Sequence, residues 1–200
     1  MVILYVETNF LMSIATGRDS QANTLLENPT TSVQIAIPSI CCMEALSALE
    51  DELKRRNRFM DELKKQISQL RRDITSSHAQ SLLSHLQQAL IENQALFNDV
   101  ENRLFQALDH LNTKAEIIPL TGDMLQASLD TRFINKDPTD NLILHCILNH
   151  ARLHTTDRKV FLSANVKEFN PPEVQAALRD AGADKYFSRT QDFLGWLESQ

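Results

Sequence analysis

Apolar residues along this chain alternate between short unbroken runs and long stretches with helical spacing. Residues 2–6 form a run of valine, isoleucine, leucine and tyrosine that empties into Glu7, Thr8 and Asn9, which predicts a buried strand ending in a polar loop. A helix over about 10–15 follows, then turn residues to 31 with room for a second short helix. Residues 33–37 read as a second strand, after which Pro38 and Ser39 open a helix with Ser39 as its N-cap. From there to about 112 the chain lacks proline and glycine. Leu46, Leu49, Leu53, Arg56, Met60, Leu63, Ile67, Leu70 and Ile74 step by threes and fours, a heptad seam with one charged break at Arg56. A second seam runs through Leu83, Leu86, Leu90, Asn93, Phe97, Val100, Leu104, Ala107 and Leu111. Two seams joined by the polar residues 75–78 predict an antiparallel helical hairpin with arms of about 50 Å.

Beyond the hairpin, residues 116–120 read as a strand, with Thr121 capping a helix to about 133. Asp137-Pro138-Thr139-Asp140 introduces an apolar helix over about 141–153. Strands over 159–164 and 185–188 and helices over 171–181 and to 199 complete the chain. Strands separated by helices in this order predict an α/β sandwich with a mainly parallel sheet.

Composition narrows the function. The 200 residues are 42% hydrophobic and 23% charged, with a net charge of −6, as expected of a globular chain. That charge excludes a histone-like, uniformly basic mode of nucleic-acid binding. No run reaches the roughly 18 apolar residues of a membrane span, and residues 2–15 lack the basic leader of a signal peptide, so a cytoplasmic protein is expected. Cys41, Cys42 and Cys146 form no CxxC pair and are expected to be reduced thiols. The four glycines lie far apart, so no GxGxxG or Walker A loop is present.

Functional groups of a parallel α/β sheet collect at the carboxyl ends of its strands. There the pattern puts Glu7 after the first strand, Glu44 on the helix after the second, Asp140 in the first turn of the helix after Pro138, and Asn165 after the 159–164 strand. Carboxylates so gathered repel one another unless protons or cations intervene, and hard oxygen ligands suit Mg²⁺ or Mn²⁺ with a phosphate-bearing substrate. Singly, each has a plainer reading: Asp140 as a helix-dipole acid, Glu44 as a solvated helix acid, Asn165 as a cap. Glu7 is harder to dismiss, because an acid ending a buried strand must be satisfied by something.

Four segments together resemble the motifs of PIN-domain nucleases. Tyr5-Val6-Glu7-Thr8-Asn9-Phe10-Leu11 is similar to the family's first-strand signature, in which an aspartate usually precedes Thr-Asn. Pro38-Ser39-Ile40-Cys41-Cys42-Met43-Glu44 resembles the second motif, Asp137-Pro138-Thr139-Asp140-Asn141-Leu142-Ile143 the third, and residues 161–169, ending Asn165-Val166-Lys167-Glu168-Phe169, the fourth. The resemblance covers 1 to about 48 and about 114 to 200. It implies a PIN-like three-layer sandwich, one domain over 1–200 interrupted by a coiled-coil-like hairpin over 49–113. It further implies a metal-dependent endoribonuclease, a housekeeping enzyme or the toxin of a toxin–antitoxin pair. Glu7, Glu44 and Asp140 would hold one or two Mg²⁺ or Mn²⁺ ions, with Asn165 as a weaker ligand or as a group behind the ligands, and Thr8, Asn9, Ser163 and Asp137 in support. The expected products are a 5′-phosphate and a 3′-hydroxyl. Two departures, Glu7 for the shorter aspartate and the neutral Asn165 for an acid, fit either a working variant or an inactive RNA- or protein-binding scaffold.

The hairpin's first arm carries eight of the chain's 20 basic residues. Arg55, Arg56, Arg71 and Arg72 are candidate RNA contacts. The same charges interleave with Glu50, Asp51, Glu52, Asp61 and Glu62, the pattern of a solvated helical face, which is the preferred reading. A docking lever for an antitoxin, another protein or a second copy of the chain is the third. His145, His150 and His154 fall with Cys146 on and just after one helix, but without HExxH or CxxC they point to packing rather than structural zinc. Phe193, Trp196 and Leu197 read as core.

Overall fold

A computed structural model describes residues 1–200. Its core is a five-stranded, all-parallel sheet of β1 (Val2–Val6), β2 (Val33–Pro38), β3 (Ala115–Ile118), β4 (Arg158–Leu162) and β5 (Ala183–Phe187), in the order β3-β2-β1-β4-β5. β1 is central and buried along its whole length, as its unbroken apolar run requires. The chain builds outward from β1 through β2 to β3, then returns to add β4 and β5 on the other side. The loops after β1 and β4 therefore part company at the sheet's carboxyl edge, where such folds form a crevice. Val6 pairs with Leu162, which sets Glu7 beside Ser163.

Helices α1 (Thr8–Ala15), α2 (Ser20–Glu27), α3 (Ser39–Leu70), α4 (Ser77–Lys114), α5 (Gly122–Asp130), α6 (Pro138–Leu153), α7 (Val166–Phe169), α8 (Pro172–Asp180) and α9 (Thr190–Glu198) flank the sheet. α6 packs on β2 and β3 with α5 beside it, while α4 packs against α1, α2 and α3. No helix is long and apolar enough to cross a membrane.

The hairpin is α3 and α4, of 32 and 38 residues, or about 48 and 57 Å at the helical rise. Its root is part of the main core: Leu49 on α3 and Phe97, Val100, Leu104, Ala107 and Leu111 on α4 are buried with the sheet residues. Leu63, Ile67 and Ala79 are buried between the arms but lie outside that core, so roughly 30 Å of hairpin projects beyond it. The second seam faces inward along its length: Leu83, Leu86, Leu90 and Asn93 are half-buried among mostly exposed neighbours, and from Phe97 onward its residues are buried. The first is interrupted: Leu46 and Leu53 are exposed, and Ile74 lies past the helix end, 83% exposed. Arg56, the charged break, turns inward, with one guanidinium nitrogen donating to Asn93 Oδ1 at 2.9 Å and Nε 2.8 Å from Glu52 Oε1 without hydrogen-bond alignment.

Several boundaries depart from the sequence pattern for local reasons. α3 starts at Ser39 itself, with Pro38 still paired in the sheet; the Ser39 hydroxyl accepts from Leu120 N–H instead of capping. Asp137 caps α6 and Pro138 takes its first position, three residues before the apolar run begins. α5 stops at Asp130, short of 133, because Asn141 gathers the following loop. Its Oδ1 accepts from Phe133 and Ile134 N–H and its Nδ2 donates to Ser128 and Thr131 carbonyls, all within 3.1 Å. β4 ends at Leu162, two residues early, since Ser163 and Asn165 turn the chain into α7.

Candidate metal centre

Glu7 is the single residue between β1 and α1, so one side chain serves the ends of both. Its Oε2 accepts from Asn9 N–H at 2.6 Å as the cap of α1, and its Oε1 accepts from Ser163 Oγ at 2.8 Å. It is 2% exposed. Burial, with a smaller contribution from the Glu44 charge, raises its pKa to about 7 against the lowering effect of those hydrogen bonds. Glu44, half-buried on α3, accepts a hydrogen bond from the Thr8 hydroxyl. Asp140 sits in the first turn of α6, and Asn165 Nδ2 donates to its Oδ2 at 2.9 Å. Burial, then the charges of Asp137, Glu7, Glu44 and Glu168, raise the Asp140 pKa to about 7.

Glu7, Glu44, Asp140 and Asn165 thus meet at the crevice between the β1 and β4 loops. Ser163 donates to Glu7 and accepts from Asn165 N–H, which ties the Glu7 and Asp140 sides together. Thr8 acts on Glu44 rather than Glu7, and Asn9 acts on Glu7 mainly through its backbone N–H, its exposed side chain adding a smaller lowering effect on the Glu7 pKa. Asp137 is spent on capping, accepting from Thr139 and Asp140 N–H, while its charge still bears on Asp140.

Three neighbours were not picked out as site residues. Glu168 presses on Asp140 electrostatically; its place beside Phe169 in the fourth motif was the available signal. Tyr186 on β5 donates to the Ser163 carbonyl at 2.8 Å, a pairing set by strand register that no local pattern carries. Cys41, fully buried beside Thr8, has its thiol pushed well up by burial, which removes it as a nucleophile.

The donor set fits a hard divalent ion: three carboxylates, two of them held against ionisation by burial and by one another, with side chains and backbone amides already orienting them. Beside it a cavity of about 560 Å³ is lined by Arg18, Arg55 and Arg189, by the acids Asp19 and Glu52, and by polar and small residues such as Asn9 and Ser188. Of the arginines singled out on the hairpin, Arg55 reaches this cavity. Arg71 and Arg72 lie at the hairpin tip, about 40 Å along α3 from Glu44. The histidines divide. His145 bonds the Thr131 carbonyl beside Phe133, and Cys146 is buried apart from them. His150 and His154 join Glu116 of β3 in the one group of three or more His, Cys, Asp or Glu side chains whose ligand atoms all lie within 4.8 Å of one another. The carboxylates of the crevice are more widely spread than that.

The family model described as PIN domain matches residues 4–169, a span that includes all four motif segments and the hairpin. No curated protein and no solved structure matches the chain.

Proposed function

The chain belongs to the PIN-domain family, whose members are generally nucleases, and on that premise we propose that it is an endoribonuclease dependent on Mg²⁺ or Mn²⁺. The observation that carries this reading is the convergence of Glu7, Glu44 and Asp140 on one crevice, oriented by Thr8, Ser163 and Asn165, where burial and one another's charge push the Glu7 and Asp140 pKa values upward. Groups so placed are costly to ionise without a cation and well oriented to receive one. Glu7, Glu44 and Asp140 would hold the ion, which supplies Lewis acidity and a water of lowered pKa. The remaining work falls to the chain itself. Ser163 and the Asn9 amide fix both oxygens of Glu7, Thr8 fixes Glu44, and Asn165 fixes one oxygen of Asp140. Arg18 offers positive charge to the phosphates of a strand laid across the neighbouring cavity, and Arg55 and Arg189 would do so by exchanging their present partners, Glu52 and Asp192, for phosphate.

Cleavage of single-stranded RNA in Mn²⁺, with wild type compared with Asp140→Asn and Glu44→Gln, tests the reading. Each substitution should lower the rate at least about a hundredfold, the worth of ~3 kcal/mol of transition-state stabilisation, and the products should carry 5′-phosphates. Equal cleavage by all three proteins, or none by wild type, refutes it. A silent RNA-binding module is the second reading. It is favoured by the neutral Asn165, which lends Asp140 a donor where the family offers a charge. RNA binding without cleavage is its signature.

The toxin role belongs to the same proposal. Phe59, Leu82, Ile91, Leu96 and Phe105 are exposed apolar side chains on the hairpin, and an antitoxin, another protein partner or a second copy of the chain would cover them.

A further inference from the structure

From the group of Glu116, His150 and His154 we infer a second metal site, built for Zn²⁺ and lying at the far end of α6 from the acidic crevice. The two histidines are one turn apart at the end of α6, their rings stacked with centroids 4.1 Å apart. His154 Nδ1 lies 2.9 Å from the His150 carbonyl, to which it must donate. The proton is thereby fixed on Nδ1, and Nε2 keeps its lone pair with no protein partner. His150 Nε2 lies 2.9 Å from Glu116 Oε1, and Nδ1 lies 2.9 Å from the Tyr5 hydroxyl, which can either donate to that nitrogen or accept from it. The ring can therefore carry its proton on Nδ1 and turn a bare Nε2 toward Glu116. Gln34 Nε2 donates to the other Glu116 oxygen at 2.6 Å and orients the carboxylate.

Two imidazole nitrogens and one carboxylate oxygen, each held from behind by a hydrogen bond, form a three-ligand set that zinc completes with water. To reach the roughly 3.4 Å ligand spacing of a tetrahedron with 2.0–2.1 Å bonds, His150 Nε2 and Glu116 Oε1 must part from 2.9 Å, and the His154 ring, now stacked on His150, must turn its Nε2 toward them. Mixed nitrogen and oxygen donors select zinc over Mg²⁺, which takes oxygen ligands. His150 is buried, while Glu116 and His154 are half-buried and open the site to solvent. Bound there, zinc ties the last turn of α6 to the edge strand β3, the strand on which the hairpin's second arm ends. The site is independent of the nuclease reading.

The test uses the full chain freed of metal and titrated with Zn²⁺, and separately with Co²⁺ as a coloured substitute. Wild type and Asp140→Asn should share one tight equivalent of zinc, whatever the crevice takes up besides, and both should show the visible absorption of a low-coordinate Co²⁺ site. His154→Ala and Glu116→Gln, checked as folded by circular dichroism, should bind zinc at least tenfold more weakly and lose the cobalt band. Zinc affinity unchanged in both, no binding by wild type, or binding lost in Asp140→Asn but kept in His154→Ala would each overturn the inference. If His154→Ala does not fold, the Glu116→Gln protein alone decides.

Discussion

Replacing Glu7 by glutamine has a consequence for stability whose sign and size follow from its surroundings. In the unfolded chain this carboxyl titrates near its ordinary 4.5, and in the folded protein near 7. Between those values the native state binds more protons than the unfolded one, so stability falls as pH rises through the window, opposite to the usual behaviour of a salt-bridged carboxylate. At ~1.4 kcal/mol per pKa unit, the penalty in the absence of metal reaches about 3 kcal/mol above about pH 8, with about a quarter of it already present near pH 5. Glu7→Gln keeps the shape and an acceptor for Asn9 N–H but removes the titration. It also removes a charge that raises Asp140, which acts in the same direction. Urea denaturation in EDTA should therefore show the variant gaining ~2–3 kcal/mol on wild type between about pH 5 and about pH 8. In melting temperature this is of the order of 5–10 °C. Adding Mn²⁺ at the higher pH should restore wild type and leave the variant nearly unmoved. A difference between the two proteins that stays constant with pH would refute the claim that burial holds Glu7 protonated, and with it one support for a cation at the crevice.

Three further outcomes are expected. Asn141→Ala strips partners from four backbone groups at the α5–α6 loop and should cost about 2–4 kcal/mol in urea denaturation; a loss under 1 kcal/mol would mean that water substitutes freely there. Gly182 has φ +89°, and a Cβ on it would lie 2.8 Å from Lys159 Nζ, itself pinned by the Ala151 and His154 carbonyls. Gly182→Ala should therefore destabilise by roughly 1–3 kcal/mol, and a neutral effect would show that this turn relaxes. Combined alanine substitution of Arg18, Arg55 and Arg189 should weaken RNA binding and flatten its log–log salt dependence by about 0.7 for each phosphate that is no longer neutralised. Arg71→Ala with Arg72→Ala should do neither, and the reverse pattern would move the strand to the hairpin tip.

Much of the fold was readable because its signals are local. The β1 run is apolar on both faces, as only a central parallel strand requires, and Glu7 follows it directly. Asp137-Pro138 marks the start of α6 by chemistry that needs no neighbour, although the apolar run alone placed that start three residues late. The seam of α4 is legible throughout, and it is most deeply buried from Phe97 onward, where those side chains meet α1 and the sheet as well as α3. The rest depends on elements distant in sequence. Glu116 was an unremarked strand residue until β3 paired with β2 and brought it under the end of α6. Tyr186 reaches Ser163 through β4–β5 pairing, and Arg55 differs from Arg71 in distance from the crevice rather than in its surrounding sequence.

Asp140 shows how magnitude decides between readings that the sequence left open. As a plain first-turn acid it would be favoured as a carboxylate by the α6 dipole, an effect of ~0.3–1 kcal/mol and so less than one pKa unit downward. Its pKa instead rises from 3.8 to about 7, with burial the largest cause and four neighbouring carboxylates adding to it. The upward causes therefore exceed the pull of the helix by a wide margin, and a dipole acid does not account for the residue. Asn165 does not reverse the balance, although its amide donates directly to Asp140 Oδ2. The group that would do so is a positive charge of higher density than an amide, and no lysine or arginine side chain bonds Glu7, Glu44 or Asp140. Fold and sequence together thus create a deficit of positive charge at the one edge where a parallel sheet collects its chemistry, and a divalent cation is the simplest species that removes it.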